Sequence, residues 1–224
     1  MSGPVVGQEI EVRIEKGVYR GLGLARHDGQ VILVPRGLPG DRLCVRVTTA
    51  SRGLLRASSL ARLEDGAGRR ASECSVSGSC GGCAYQDLDY PHQLSLKEKV
   101  LRESLARAGA PFEGDIPLVG SPERGWRMRA SLHGELSGGR LRIGLHEEAS
   151  HRVVEFDPCL QLSARANLAV TGLRRTLASR PGLASRLRTI DLAESPDERD
   201  LVVGLRGDFR ASDAPAIAAA GTEV

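Results

Sequence analysis

The sequence predicts a mainly β protein, in which a small closed β-barrel of the OB type is followed by an α+β region. Residues 9–15 alternate apolar and charged side chains, which is typical of a strand with one exposed face. Further short strand patterns, separated by turn residues, occupy residues 18–25, 30–34, 42–48 and 54–63. Such evenly spaced short strands are typical of a barrel, whereas helical patterns appear only later in the chain.

The later elements alternate between helix and hairpin. Pro91 and Gly109 bound a helical pattern over residues 91–108, since proline suits a first turn and glycine a helix end. Further patterns predict a hairpin of 126–136 with 140–146, a strand over 153–156, a helix over 161–179, a hairpin of 187–192 with 201–206, and a short helix from 215. We therefore divide the chain into a barrel (1–64), a linker and cysteine loop (65–90), a helical segment (91–118) and a central α+β domain (119–224).

Positive charge is concentrated near the N-terminus. The 224 residues carry a net charge of +3, but residues 1–70 hold 12 Arg and Lys against 7 Asp and Glu. A basic module indicates an anionic partner, with nucleic acid foremost. No apolar run reaches the roughly 20 residues of a membrane span, and no signal peptide pattern opens the chain. We therefore expect a cytoplasmic protein without a membrane partner.

Four of the five cysteines form a pattern that indicates a metal centre. Cys74, Cys80 and Cys83 lie within ten residues rich in Gly and Ser, and Cys159 follows far downstream. Four thiolates suit an iron–sulfur cluster, and the Cys-x2-Cys pair also occurs in zinc knuckles. A zinc ribbon usually has two such pairs, so the pattern favours iron–sulfur. Cys44 lies in a predicted barrel strand, where we expect it to take no part in the centre.

The cysteine region also resembles a known family. Residues 74–109 resemble the bacterial RNA (uracil-5)-methyltransferases that carry a 4Fe-4S cluster, in particular those that make 5-methyluridine in 23S ribosomal RNA. The resemblance rests on the Cys-Gly-Gly-Cys element at 80–83, the Tyr85-Gln86 pair, the run from Tyr90 to Lys97, and Cys159. Residues 7–63 resemble the TRAM domain of that family, and residues 126–129 its central β domain.

The resemblance implies a function. In the family, a cysteine attacks C6 of an extruded uracil, and C5 then takes a methyl group from S-adenosylmethionine. It implies that Cys74, Cys80, Cys83 and Cys159 hold the 4Fe-4S cluster. The sequence contains no glycine-rich cofactor loop, and no cysteine remains as nucleophile. We therefore expect the Rossmann-like catalytic domain to be absent, and this chain, as a truncated form, to be inactive alone, with no catalytic or S-adenosylmethionine-binding residues.

An alternative function uses the same residues without catalysis: a stand-alone RNA-binding protein with an iron–sulfur or zinc site. In either case we expect a monomer that binds RNA, with ribosomal RNA favoured over transfer RNA. Arginines of the barrel and the central domain are the candidate RNA contacts: Arg20, Arg26, Arg36, Arg42, Arg127 and Arg129.

The helix over 91–108 carries two apolar patches. One contains Leu94, Leu101, Leu105 and Ala108, and the other contains Leu96 and Val100 on nearly the opposite side. A helix that packs on one body needs only one patch. We therefore predict that one patch is exposed in this chain and faces the catalytic domain of the resembling family.

Overall fold

The computed structural model describes residues 3–51, 53–197 and 199–222, and the chain divides into two compact units. The first unit combines Met1–Ser72 with Ala84–Gly120, and the second combines Glu73–Cys83 with Ser121–Val224. The cysteine loop thus groups with the second unit and the long helix with the first, a division that the sequence pattern did not indicate.

The first unit is built around a six-stranded sheet. Its strands are β1 (Glu9–Arg13), β2 (Lys16–Val18), β3 (Leu22–His27), β4 (Gln30–Pro35), β5 (Arg42–Ser51) and β6 (Leu54–Glu64). Their order is β1-β5-β6-β4-β3-β2, with β4 and β6 parallel and the other pairs antiparallel. The two edge strands therefore follow one another in the chain, and the sheet curls around a core that includes Ile32, Val34, Val45 and Leu55.

This sheet differs from the predicted barrel in two respects. It is a curled half-barrel of six strands rather than a closed barrel of five. The strand predicted over residues 18–25 is divided by a turn at Tyr19–Gly21, because Arg20 and Gly21 have positive φ angles of 70° and 72°. Two successive residues in the left-handed region reverse the chain and cannot continue a strand.

Helix α1 (Tyr90–Arg107) completes the first unit, within one residue of its predicted bounds. The side chain of Asp89 caps it by accepting a hydrogen bond of 2.9 Å from the backbone N–H of His92. Leu96 is buried and packs with Leu38 and Leu88. This small cluster anchors the helix within its unit.

The two apolar patches of α1 have different environments. Leu96 is 6% exposed and Val100 packs against the same cluster, so this patch is covered within the first unit. On the other patch Leu101 is 47% exposed, while Leu94 and Leu105 are half-buried. The predicted exposure therefore holds at Leu101 and Ala108 but not at Leu94 and Leu105, and the domain that this patch faces remains a prediction.

The segment after β6, which the sequence indicated as part of a linker, is fixed to the sheet by a buried ion pair. The side chains of Asp41 and Arg69 are 0% and 5% exposed, and Arg69 bonds both Asp41 and Asp87. Asp41 also accepts the backbone N–H groups of Leu38 at 2.7 Å and Gly66 at 2.9 Å. The segment carries no apolar pattern because an ion pair, rather than hydrophobic burial, holds it.

The second unit has an α+β fold, in which helices pack against a five-stranded antiparallel sheet. Its strands are β7 (Arg129–Ser137), β8 (Arg140–His146), β9 (Val153–Glu155), β10 (Leu187–Glu194) and β11 (Leu201–Gly207), in the order β11-β10-β7-β8-β9. Its helices are α2 (Ala164–Ala178), α3 (Pro181–Ala184) and α4 (Ala214–Thr222), with a 3-10 turn at Ala211–Asp213. Leu132, Ile143, Leu177 and Ile190 lie in the core between sheet and helices.

Both predicted hairpins are present in this unit, with one shifted boundary. Strand β7 begins at Arg129 rather than at Trp126, since the preceding residues pair elsewhere. The N–H of Gly125 donates to the carbonyl of Leu160 at 3.0 Å, and that of Arg127 donates to Gln161 at 2.8 Å. The predicted helix over 161–179 begins only at Ala164, where the Ser163 side chain caps it. None of the helices in the described ranges is long and apolar enough to cross a membrane.

Candidate metal centre and RNA contacts

The four cysteines of the pattern all lie in the second unit, where the loop that bears three of them is attached to the end of β8. Cys80 forms an isolated antiparallel bridge with Glu147. The N–H of Gly81 donates to the carbonyl of His146 at 2.9 Å. This attachment fixes the middle of the loop, so Cys80 and Cys83 are presented from a defined backbone rather than from a free segment.

The two glycines between Cys80 and Cys83 are required by close packing. A Cβ atom at Gly82 would lie 2.5 Å from Cδ1 of Leu145 and 3.4 Å from Sγ of Cys80. A Cβ atom at Gly81 would lie 2.9 Å from the carbonyl oxygen of His146. A side chain at position 81 would therefore meet backbone atoms at the end of β8, and one at position 82 would meet the end of the Leu145 side chain, so glycine suits both positions.

Cys159 is held from the other side by the first turn of α2. The Oδ1 atom of Asn167 accepts the N–H of Cys159 at 2.9 Å, and Nδ2 donates to the carbonyl of Cys159 at 3.0 Å. The same Nδ2 atom lies 3.0 Å from the carbonyl oxygen of Ser163. One amide side chain therefore ties the Cys159 backbone to the N-terminus of the helix.

The thiols influence one another electrostatically. Burial raises the pKa of the Cys80 thiol, the Gly82 N–H at 3.4 Å opposes this increase, and the charges of Cys83, Cys159 and Cys74 raise the pKa further. Burial likewise raises the pKa of Cys159, against hydrogen bonds from the N–H groups of Gln161 and Leu162. Backbone N–H groups directed at sulfur are the environment that tunes iron–sulfur centres.

Arg127 joins the two cysteine segments. Its Nη2 atom donates to the carbonyl of Gly82 at 3.0 Å, and its backbone N–H donates to Gln161. Its positive charge lowers the pKa of Cys159. The side chain is half-buried and lies 5.4 Å from the ring of Trp126. Arg127, predicted as an RNA contact, is thus engaged by the cysteine loop, whereas Arg129 is exposed at the start of β7.

The four residues fit a thiolate ligand set in composition and grouping, but they do not form a closed ligand shell. Among the described residues, no three Cys, His, Asp or Glu side chains are arranged so that they could hold a metal ion. A single zinc ion would need its thiolates within about 4 Å of each other. A cluster of four irons lies between its thiolates and needs them farther apart. No disulfide joins any of the five cysteines, and Cys44 lies in β5 of the first unit.

The arginines predicted to contact RNA from the barrel fall into two groups. Arg26 forms an ion pair with Glu15, and Arg42 pairs with Glu64 at 3.0 Å and Glu11 at 3.3 Å. A guanidinium that is already paired with a carboxylate attracts phosphate less strongly than an unpaired one.

Arg20 and Arg36 lie at the β2–β3 turn and just after β4, and the N–H of Arg36 donates to the carbonyl of Gly21 at 3.0 Å. Both have positive φ angles, 70° and 58°. The backbone bond from Arg36 therefore attaches the end of β4 to the turn that carries Arg20.

Two important residues were not predicted from the sequence. Asn167 bonds the backbone of Cys159 from eight positions away in the sequence, and the only sequence signal for it, an amide near the start of a predicted helix, is common in proteins. Arg69 is buried although its neighbours Gly68 and Arg70 indicate a solvated segment. The structural role of each residue depends on a contact, with Cys159 for Asn167 and with Asp41 for Arg69, that sequence spacing does not reveal.

The first unit defines the class of protein. Residues 5–60 match the TRAM domain family, so the curled sheet is a TRAM domain. Among curated proteins, the chain is 39% identical over 161 residues to the 23S rRNA (uracil(1939)-C(5))-methyltransferase RlmD of Pseudomonas aeruginosa. It is 33% identical over 180 residues to an uncharacterized RNA methyltransferase of Synechocystis. The chain is therefore a homologue of the RNA uracil-C5-methyltransferases.

The homology covers a part of those relatives. The aligned regions span 70% of this chain but 36% of the Pseudomonas enzyme, and 78% of this chain but 38% of the Synechocystis protein. The chain thus spans little more than a third of the curated relatives it matches.

A solved structure shares the fold. The tRNA (uracil-54, C5)-methyltransferase of Pyrococcus abyssi, solved with S-adenosyl-L-homocysteine, aligns with a TM-score of 0.65 and 21% identity. The alignment covers 92% of this chain and 48% of that enzyme. It supports the mainly β arrangement of a TRAM sheet followed by an α+β region.

Proposed function

We propose that this chain is the RNA-binding and iron–sulfur portion of an S-adenosylmethionine-dependent RNA uracil-C5-methyltransferase, with ribosomal RNA as its partner in the cytoplasm. The observation that carries the proposal is that Cys74, Cys80, Cys83 and Cys159 all belong to one unit of a chain that also contains a TRAM domain. RlmD of Pseudomonas acts, by its name, on 23S rRNA, and this supports ribosomal RNA over transfer RNA.

The proposed centre is a 4Fe-4S cluster with a structural role. When bound, the cluster would link the cysteine loop on β8 to Cys159 before α2. The chain's own groups prepare this link: Asn167 fixes the backbone of Cys159, and Arg127 bonds the carbonyl of Gly82. Cysteine binds metal as the thiolate, so these thiols would lose protons on binding, and cluster assembly should be favoured at higher pH.

The methyl transfer itself is proposed to lie outside these 224 residues. In the resembling family, the reaction needs a nucleophilic cysteine and a site for S-adenosylmethionine. Four of the five cysteines are assigned to the cluster, and Cys44 lies in a strand of the TRAM sheet. The chain should therefore bind RNA without transferring a methyl group.

A binding experiment tests this division of roles. Isothermal calorimetry and fluorescence anisotropy would be run on the intact, anaerobically purified chain with a ribosomal RNA hairpin and with S-adenosylmethionine. We expect RNA affinity that falls steeply with salt, because phosphate neutralisation releases counterions, and no binding of S-adenosylmethionine. Stoichiometric S-adenosylmethionine binding would contradict the proposed absence of the catalytic site. Absence of RNA binding at low salt would contradict the RNA-binding role.

The second candidate, a stand-alone RNA-binding protein with a zinc site, is favoured by the Cys80-x2-Cys83 pair. Metal analysis of the purified chain distinguishes this zinc site from the proposed iron–sulfur cluster. One zinc per chain without iron would support the second candidate.

A further inference from the structure

We infer that the turn Tyr19–Gly21, together with Arg36, is a contact for single-stranded RNA in which the Tyr19 ring stacks on an unpaired base and Arg20 binds the adjoining phosphate. The inference rests on the proposed RNA binding and assigns it to one corner of the TRAM sheet, hereafter the Tyr19 corner. Tyr19 would add a base-stacking residue to the RNA contacts predicted from the sequence, which were all arginines.

The first observation is the exposure of Tyr19. Its side chain is 71% exposed, in a chain that contains only three Tyr, three Phe and one Trp. An aromatic ring is costly to leave in water. Exposed rings are also the platforms on which single-stranded RNA stacks its bases.

The second observation is the charge beside Tyr19. Arg20 is exposed, and no carboxylate within the described ranges pairs with it. On the same sheet, in contrast, Arg13 is paired with Glu64 and Arg46 with Glu9. The Tyr19 corner therefore combines a bare ring with an unpaired cation, which is the pair of groups that a nucleotide requires.

The third observation is that the corner is rigid despite its exposure. The N–H of Arg36 donates to Gly21, and the carbonyl of Arg36 accepts Nη2 of the buried Arg69 at 2.9 Å. A Cβ atom at Gly21 would lie 2.4 Å from Cβ of Ala84, so the turn packs closely against that residue. A preorganised turn loses little conformational entropy when it binds a ligand.

The fourth observation is the backbone conformation of the two arginines. Arg20 and Arg36 both have φ in the left-handed region, which non-glycine residues seldom adopt outside Asn and Asp. Asp28 also has a positive φ, but it lies in an Asp-Gly hairpin turn where this is usual. Unfavourable φ values are retained where the surrounding structure and function require them.

The test measures binding of a labelled ten-nucleotide oligouridine to the intact chain by fluorescence anisotropy over a range of salt concentrations. Tyr19→Ala should weaken binding roughly 5- to 100-fold without changing the salt dependence, since stacking involves no counterions. Tyr19→Phe should stay within about twofold of the parent, because its ring stacks equally well. Arg20→Ala should lower the slope of log affinity against log salt by about 0.7.

Phe112→Ala is the matched control, because Phe112 is an aromatic residue of the same unit that is 48% exposed. It should bind like the parent chain. A Tyr19→Ala chain that binds oligouridine as well as the parent would overturn the inference and leave the proposed RNA binding intact. An equal loss of affinity for duplex RNA of the same length would also overturn it, because paired bases cannot stack on Tyr19. If the parent chain binds a ribosomal RNA hairpin but not oligouridine, the inference fails, whereas binding neither RNA contradicts the proposed function itself.

Discussion

The side chain of Asn167 bonds both the N–H and the carbonyl of Cys159, at 2.9 Å and 3.0 Å. An amide can do this because it carries one acceptor and one double donor on the same planar group. The position of the fourth cysteine is therefore fixed by α2 rather than by the cysteine itself. Replacement of this amide should affect the proposed metal centre without removing a proposed ligand.

Asn167→Asp tests this relationship. The carboxylate retains the acceptor but cannot donate to the carbonyls of Cys159 and Ser163, which would be left facing a negative charge. We expect the free energy of unfolding to fall by about 1–3 kcal/mol and the iron content per chain to decrease. Urea unfolding and iron analysis measure the two effects. Ser179→Ala, at the other end of α2, should change neither substantially, and equal iron loss in both variants would contradict a specific role for Asn167.

Gly82→Ala should disrupt the cysteine loop. Its new Cβ atom would meet Cδ1 of Leu145 at 2.5 Å, so either the loop or the Leu145 side chain, which packs against the core of the second unit, must shift. We expect loss of bound iron from a chain that still folds, as judged by unchanged circular dichroism. Gly182→Ala is the control, since no atom lies within 4 Å of its added Cβ. Full iron content in Gly82→Ala would show that the close approach is not needed.

The buried pair of Asp41 and Arg69 should dominate the stability of the first unit. Arg69→Met leaves the Asp41 carboxylate buried without its cation, which costs about 3–5 kcal/mol. Arg13→Met removes an exposed pair with Glu64 and should cost at most about 1 kcal/mol. Urea unfolding of both variants measures the difference. Similar midpoints would contradict the structural role assigned to Arg69.

The same pair predicts how stability depends on pH. Burial alone would raise the pKa of Asp41, but hydrogen bonds from Arg69, Leu38 and Gly66 and the charge of Arg69 lower it below 3.8. A carboxyl group with a lowered pKa stabilises the fold above pH 3.8 and loses that contribution as the pH falls through its folded-state value. Asp41→Asn should therefore be less stable than the parent at pH 7, with a difference that shrinks below about pH 4. A difference independent of pH would contradict this assignment.

The sequence was sufficient to predict elements whose pattern is local. The hairpins of the second unit, the helix after Asp89 and the strands of the TRAM sheet follow from periodicity and turn residues. The division of the strand at Tyr19–Gly21 was missed, because Arg20 is not a residue that indicates a left-handed turn. The burial of Arg69 was missed because ion pairs leave no hydrophobic pattern.

The candidate site, too, could be predicted from the sequence only where its signal is local. Spacing and residue type were sufficient to propose the four cysteines as metal ligands, and that assignment remains a prediction. Spacing could not separate Arg127, which bonds the cysteine loop, from Arg20, which is exposed, because that distinction arises from contacts 45 residues apart in the chain. Whether a charged residue binds a ligand or its own backbone is decided by tertiary structure.

The most direct test of the account is the iron and acid-labile sulfide content of the anaerobically purified chain, compared with Cys159→Ser and Cys44→Ser. We expect four irons and four sulfides in the parent and in Cys44→Ser, because Cys44 lies in the TRAM sheet, and a large loss of both in Cys159→Ser. One zinc per chain without iron, or an equal loss of iron in both variants, would contradict the assignment of Cys74, Cys80, Cys83 and Cys159 as ligands of an iron–sulfur cluster.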